Sequence, residues 1–162
     1  MATRSTIALE FADGSVGQVY CHWDGYLEHN GRILLENYQD PFKLQKLIDL
    51  GDLSSLGAEV GEKHPFDNPH DYGTDAYNEW RDAMKDVCNF YGRDRGEEGI
   101  ETNYFKNFAD YEKNHGYQEY EYILRQVNGE AVWFVNQGNG YEPLMEAYIE
   151  ELRQQAEEEE TV

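Results

Sequence analysis

Six consecutive residues, 21–26, combine polar and aromatic groups that ligand sites use. They read Cys-His-Trp-Asp-Gly-Tyr and end an alternating, strand-like run. Side chains at a strand end, where the chain enters a loop, are placed to meet ligands. If Trp23 faces the core, His22 and Asp24 face the other way, and a carboxylate can hold a neighbouring imidazole protonated or in one tautomer. The alternative is a structural turn with solvated polar groups. The candidate ligand-binding residues are His22, Trp23, Asp24 and Tyr26.

A second segment, residues 91–98, carries two of the 13 basic residues of the chain. It reads Tyr-Gly-Arg-Asp-Arg-Gly-Glu-Glu. Glycines let a backbone approach a ligand, and guanidinium groups bind phosphate or carboxylate through paired hydrogen bonds. The segment therefore predicts a local anion site, unless both arginines pair with the surrounding acids. The candidate ligand-binding residues here are Tyr91, Arg93, Asp94 and Arg95.

Residues 64–71 read His-Pro-Phe-Asp-Asn-Pro-His-Asp and bring two imidazoles and two carboxylates close in sequence. Their spacing matches no familiar metal-binding signature. The sequence also contains no phosphate loop of the Walker type, no Gly-x-Ser-x-Gly elbow and no His-Glu-x-x-His motif. We therefore expect no metal, no cofactor and no catalytic residue, and the sequence favours binding over catalysis.

Acidic residues dominate the charge, with 33 Asp and Glu against 13 Lys and Arg and a net charge of −20. Such an excess excludes broad contact with nucleic acid or with anionic membranes. Carboxylates spaced along a surface can imitate duplex phosphates, which recur about every 1.7 Å of axis. Solubility and adaptation to high salt are the alternatives. The candidate protein-binding residues near the end of the chain are Glu142, Glu146, Glu150 and Glu151.

Two hairpins are predicted to position these segments. Residues 7–11 and 19–23 alternate on either side of Asp13-Gly14, and residues 117–127 and 131–135 flank Asn128-Gly129. Asn-Gly and Asp-Gly between alternating runs are strong hairpin signals. A further short strand is predicted at 87–91.

Helices are predicted around these strands. Asp40-Pro41 provides an N-cap and a first helical residue for 42–48, with Gly51 at the exit. Helical turns are also predicted at 33–38 and 103–113, and a closing helix over 144–152 presents one apolar face. Residues 51–78 are predicted to be loop, with one helical turn at 53–56.

These elements predict a single α+β domain over residues 1–155, followed by an acidic disordered tail at 156–162. Its sheet is antiparallel, built from two hairpins and a further strand, with helices packed on one face. The length of 162 residues suits one domain with a core. Cys21 and Cys88 are expected to be buried and reduced. Without a membrane-helix or secretory pattern, a cytoplasmic location is expected.

Four motifs resemble a family of small proteins common in bacteriophage genomes. They are Cys-His-Trp-Asp-Gly-Tyr at 21–26, Leu-Gly-Asp-Leu-Ser-Ser-Leu-Gly at 50–57, Gly-Glu-Lys-His at 61–64 and Phe-Tyr-Gly-Arg-Asp-Arg-Gly-Glu at 90–97. The resemblance covers roughly residues 1–100. It implies an accessory phage protein that acts inside a bacterial host, where such proteins often blunt antiviral defences.

Three functions follow as hypotheses. In the first, the acidic surface binds and inhibits a host defence protein that handles nucleic acid. In the second, the chain sequesters a nucleotide-type immune signal, with Arg93 and Arg95 on phosphate and with stacking on Trp23, Tyr26 or Tyr91. In the third, it is a small hydrolase in which His22 and Asp24 are acid and base. The sequence leaves the oligomeric state open.

Overall fold

The structure is a computed structural model that describes residues 2–160. One mixed sheet carries the fold, and its helices pack against it. The strands are β1 (Ser5–Glu10), β2 (Val16–Cys21), β3 (Leu53–Ser55), β4 (Asn89–Phe90), β5 (Asn103–Phe105), β6 (Tyr120–Val127), β7 (Glu130–Asn136) and β8 (Tyr141–Pro143). The helices are α1 (Arg32–Asn37), α2 (Pro41–Asp49), α3 (Asp75–Met84), α4 (Phe108–Asn114) and α5 (Leu144–Glu160). A π-helical turn, Leu27–Gly31, precedes α1.

The strand order is β4-β3-β2-β1-β6-β7-β8, and β5 pairs with the start of β2. The predicted hairpins are confirmed as β1–β2 and β6–β7. In the second turn Asn128 and Gly129 both have positive φ, as a two-residue type I′ turn requires. The hairpins join through a parallel pairing of β1 with β6, and β2 also pairs in parallel with β3. The other pairings are antiparallel. The predicted α+β fold is therefore confirmed, and the sheet, predicted to be antiparallel, is mostly so.

The sheet has a core on each face. The larger core contains alternate residues of β1, β2 and β6, and α1, α2 and α5 pack on it. The smaller core lies on the opposite face, where Tyr111 of α4 packs on Ala8, Val16 and Ile123. Three helices thus share one face, as predicted, while α4 and β5 cover part of the other.

The helix α2 follows the predicted capping pattern. The Asp40 carboxylate accepts a hydrogen bond from Phe42 N at 3.0 Å, and Pro41 is the first helical residue. Leu44, Leu47 and Ile48 are buried. Gly51 ends the segment at φ +85°, and a Cβ added at this position would lie only 2.4 Å from Ile100 O. Glycine is therefore required there by both backbone conformation and space.

Between residues 51 and 113 the structure differs from several predictions. The predicted helical turn at 53–56 is the strand β3, because Leu53 pairs with both Cys21 and Phe90. The predicted loop also contains the start of α3, which Thr74 caps by accepting a hydrogen bond from Tyr77 N. The strand at 87–91 is confirmed only as the two residues of β4. The predicted helix at 103–113 begins with β5 and turns helical at Phe108.

The last helix is longer than predicted. It continues through Glu160, so the prediction of a disordered tail from residue 156 is wrong for residues 156–160. Glutamate and alanine favour helix, and Gln155 anchors this end by donating to Glu28 at 3.0 Å. Residues 161–162 lie outside the described residues. Among residues 2–160, no helix has the length and apolar character needed to cross a membrane.

Candidate binding surfaces

The four motifs lie together at the β2–β3–β4 edge of the sheet. His22 N donates to Leu53 O at 3.2 Å, and Trp23 N donates to Ser54 O at 3.0 Å. Tyr91 N donates to Asp52 O at 3.3 Å, which joins the third strand. Segments that are far apart in sequence therefore form one continuous edge. The structure brings these motifs together mainly through backbone pairing.

Arg93 lies at the centre of this edge, and its guanidinium group is fully engaged. Nε donates to Asp94 at 2.9 Å, and Nη2 donates to Asp94 and to Cys88 O, both at 3.1 Å. Nη1 donates to Val60 O and Gly61 O at 2.9 and 2.8 Å. An arginine has five N–H donors, so no donor remains for a ligand. Arg93, a predicted anion-binding residue, therefore has all its N–H donors engaged inside the fold.

Asp94 completes the same network from its buried position. Its Oδ1 accepts from His64 N at 3.1 Å, and its Oδ2 accepts from Phe90 N at 2.8 Å. Burial alone would raise the pKa of this carboxyl, but the Arg93 guanidinium and the two backbone N–H groups outweigh burial and lower it. The carboxylate is thus charged and internal. Arg93 and Asp94 act as a structural clamp that holds residues 60–64 on β4.

Arg95 and Tyr91 differ from Arg93 because they remain at the surface. The Arg95 side chain is 55% exposed and lies 3.8 Å from Glu97. Its guanidinium carbon is 5.2 Å from the Phe66 ring centroid, and that ring stacks on Tyr91 at 5.9 Å. Of the predicted arginine pair, only Arg95 is therefore available to a ligand.

The structure brings His22 and Trp23 into edge-to-face contact, with ring centroids 4.7 Å apart. His22 Nδ1 lies 2.7 Å from the Tyr20 hydroxyl, and no hydrogen bond joins His22 to Asp24 among the described residues. Trp23 is 44% exposed, which corrects its predicted core position. The strand ends at Cys21, so the alternation no longer applies at Trp23. Asp24 has φ +57°, and Tyr26 lies against His29 with ring centroids 6.1 Å apart.

The histidines and carboxylates of residues 64–71 do not converge. His64 Nε2 lies 3.1 Å from Cys88 O, and Nδ1 lies 2.9 Å from Pro65 O. His70 is exposed. Within the described part of the chain, no group of three His, Cys, Asp or Glu side chains is placed to hold a metal ion. The role of His64 in the structure is to join this segment to β4.

A buried polar cluster under α4 has no counterpart in the sequence predictions. His115 Nε2 lies 2.9 Å from Glu121 Oε2, and the hydroxyl of Tyr141 donates to the same oxygen at 3.2 Å. The Tyr141 hydroxyl is also 3.2 Å from that of Tyr111. Burial raises the pKa of both tyrosines, which therefore stay protonated. The only sequence signal was a glutamate at an alternating strand position.

The apolar residues of α5 divide into two groups. Leu144 and Ala147 are buried, on the side that contacts the Leu27–Gly31 turn, β7 and β8. Met145, Ile149 and Leu152 are 51%, 48% and 43% exposed. Their i, i+4, i+7 spacing places them on one side of the helix. We call these three residues the apolar stripe, and it corrects the prediction of a single apolar face.

The candidate acids near α5 also divide. Glu142 on β8 and Glu146 and Glu150 on α5 are exposed, whereas Glu151 is half-buried. Glu151 accepts a bond from Gln155, which also bonds Glu28. Glu151 is therefore less accessible to a partner than the other three candidate acids. Glu146, Glu150 and Glu157 share one side of the helix next to the apolar stripe, and we call them the acidic row.

Three clefts in the surface involve other residues. An apolar cleft of about 290 Å³ lies between the β1–β2 turn and α2, with Phe11 and Phe42 in its walls. A second of about 300 Å³ lies beside Leu50 and Ile100, and a third of about 430 Å³ lies beside Lys43 and Lys46. None of the three is lined by a predicted ligand-binding residue.

Comparison of the chain with protein-family models, with curated proteins and with solved structures finds no match.

Proposed function

We propose that this chain is a non-catalytic binding protein that acts in the cytoplasm of a bacterial cell and inhibits a host protein through the acidic outer side of α5. The resemblance to small bacteriophage proteins supports this setting. A host protein that handles nucleic acid in antiviral defence is the proposed target, because such proteins have basic surfaces that bind phosphates.

The charge distribution on α5 carries the proposal. This helix has seven glutamates and one arginine. Glu146 and Glu150 are exposed, as is Glu142 just before the helix. Carboxylates in this arrangement increase the rate of association with a basic surface and make it sensitive to salt.

The two rival hypotheses have less support. Sequestration of a nucleotide relied on two arginines, and Arg93 has all its donors engaged inside the fold. A hydrolase relied on His22 and Asp24 acting together, but the partner of His22 is Tyr20. Neither hypothesis retains its predicted pair of residues.

The test is a phage infection assay in bacterial strains that each carry one defined defence system. Each strain expresses the wild-type protein, a charge variant, a control or Arg95→Ala. The charge variant is Glu146→Gln with Glu150→Gln. The matched control, Glu79→Gln with Glu112→Gln, neutralises the same number of exposed carboxylates on α3 and α4.

We expect the wild type and the control to raise phage plating efficiency in at least one strain, and the charge variant to lose most of this effect. Equal phage plating efficiency with the charge variant and with the control would contradict the proposal that α5 is the binding surface. Loss of protection only with Arg95→Ala would support nucleotide sequestration instead.

A further inference from the structure

The apolar stripe of α5 indicates which kind of surface this helix binds. We propose that the stripe and the acidic row together dock a basic amphipathic helix of the partner, which lies along α5. This inference rests on the proposed function and specifies its contact. The stripe would cover the apolar residues of the partner helix, and the acidic row would face its lysines and arginines.

The apolar stripe is about half exposed in the described part of the chain. The elements that contact α5 do so from the side of Leu144 and Ala147. Met145 and Leu152 are seven positions apart, which is about 10 Å along the helix axis. Apolar side chains at positions i, i+4 and i+7 of an exposed helix are typical of a surface that binds another helix.

Negative charge lies beside the apolar stripe. Glu146 and Glu150 each follow a stripe residue by one position, which places them about 100° further around the helix. A helix docked on the stripe would therefore place its flanking side chains near these carboxylates. Charge complementarity requires those side chains to be basic.

The charge of α5 excludes a second copy of this chain as the occupant. Two copies of α5 would bring together helices with seven glutamates and one arginine each. The whole chain carries a net charge of −20, so self-association along this helix opposes like charges throughout. A nucleic-acid duplex is excluded for the same reason, which leaves a basic protein segment.

The apolar stripe distinguishes this contact from pure imitation of phosphates. A groove that binds phosphates is lined by polar and basic groups and gains little from methionine, isoleucine and leucine on its ligand. Exposing three large apolar side chains in a row has a cost in solubility. A partner helix with an apolar face accounts for both features of α5.

The probe is a synthetic basic helical peptide of about three heptads, with leucine at the a and d positions and lysine elsewhere. A peptide of identical composition but permuted order, which cannot form one apolar face, is the control. Binding is measured by fluorescence anisotropy with the full chain. The stripe variant, Ile149→Gln with Leu152→Gln, is compared with the charge variant and with Glu79→Gln/Glu112→Gln.

We expect the ordered peptide to bind at least about tenfold more tightly than the permuted one, and the stripe variant to lose that preference. Backbone amide shifts of the wild type on peptide addition should map to residues 145–157. This mapping needs no variant, and circular dichroism checks that the stripe variant keeps its helix content.

Equal binding of both peptides, or shifts that map away from α5, would overturn the inference. A dimer in sedimentation velocity that the stripe variant abolishes would also overturn it, because the occupant would then be a second copy. The proposed function can survive this failure. The stripe variant is therefore also tested in the phage infection assay. If the charge variant no longer raises phage plating efficiency while the stripe variant still does, only the helix-docking contact is wrong.

Discussion

Arg93 and Asp94 are neighbours in sequence and form a two-pronged ion pair with each other, with Nε–Oδ1 at 2.9 Å and Nη2–Oδ2 at 3.1 Å. The guanidinium group also binds three backbone carbonyls, and the carboxylate binds two backbone N–H groups. In the sequence this pair resembles an exposed, ligand-binding motif, but in the fold it is the structural clamp that holds residues 60–64 on β4.

Removing this structural clamp should destabilise the protein strongly. In Arg93→Ala the buried Asp94 carboxylate loses its counter-charge, and three carbonyls lose a donor. The expected loss is about 3–5 kcal/mol in the free energy of unfolding, the range for breaking a buried pair. Urea denaturation measures it. The control Arg95→Ala, at an exposed site, should change stability by less than about 0.5 kcal/mol. Equal effects of the two variants would show that Arg93 is not a structural residue.

Removing the charge of the half-buried Asp52 should stabilise the protein, in contrast to the loss of Arg93. Burial raises the pKa of its carboxyl above the ordinary 3.8, against the lowering effect of the Tyr20 N–H, and nearby Glu101 raises it further. Below the unfolded-state pKa the group is protonated in both states and has no effect. As pH rises through the higher folded-state pKa, ionisation opposes folding.

The variant Asp52→Asn tests this sign, because its amide oxygen can still accept from Tyr20 N at 2.9 Å. We expect a higher melting temperature than wild type at about pH 7 and little difference at about pH 3. Calorimetric melts at both pH values give the answer. A variant that is less stable than wild type at neutral pH would mean that the charge of Asp52 is used.

The two cysteines should be unreactive in the folded protein. Both are fully buried and free. Burial raises the pKa of Cys21 to about 12 and also raises that of Cys88, so neither forms the reactive thiolate. A thiol reagent at about pH 8 should modify neither residue in the native protein and both in denaturant. Rapid native modification, or an intact mass that lacks two hydrogens, would contradict the buried, reduced state.

The His115–Glu121 pair should fix α4 on the sheet. Both side chains are buried, and Glu121 Oε2 also accepts from Tyr141 and Asn136. In His115→Ala the carboxyl group of Glu121 loses one of its hydrogen-bond partners, and the expected loss is about 1–3 kcal/mol in the free energy of unfolding. Hydrogen exchange should show faster exchange in α4 and β5 than in α2. The control is His70→Ala, at an exposed site. Similar hydrogen-exchange rates of α4 in the two variants would show that the His115–Glu121 pair does not hold α4 on the sheet.

The elements that the sequence predicted well are specified locally. Asp13-Gly14 and Asn128-Gly129 define their turns through backbone conformation, and Asp40-Pro41 starts its helix through a cap. The parallel pairing of β1 with β6 was not predicted, because it joins residues more than a hundred positions apart and leaves no local pattern.

Other differences arise from weak local signals. Leu53–Ser55 has no alternation and becomes a strand only between Cys21 and Phe90. The helix α3 could have been found from the Thr74 cap, but its neighbouring glycines and prolines suggested loop.

The candidate sites were harder to predict than the elements, because sequence does not reveal where side-chain donors go. Arg93 and Arg95 are equivalent in their motif, yet one is internal and the other exposed. On α5 the apolar residues were recognised, but a difference of one position separates buried Leu144 from exposed Met145. Packing of the helix against the sheet decides which side faces water.

The most direct test of the central claim is quantitative affinity capture from bacterial lysate with the wild type, the charge variant and the Glu79→Gln/Glu112→Gln control. The account predicts a nucleic-acid-binding host protein that the wild type and the control retain, that the charge variant retains at least about tenfold less, and that duplex DNA or high salt releases. Equal retention by all three proteins, insensitive to salt and to DNA, would contradict the claim that α5 is the binding surface.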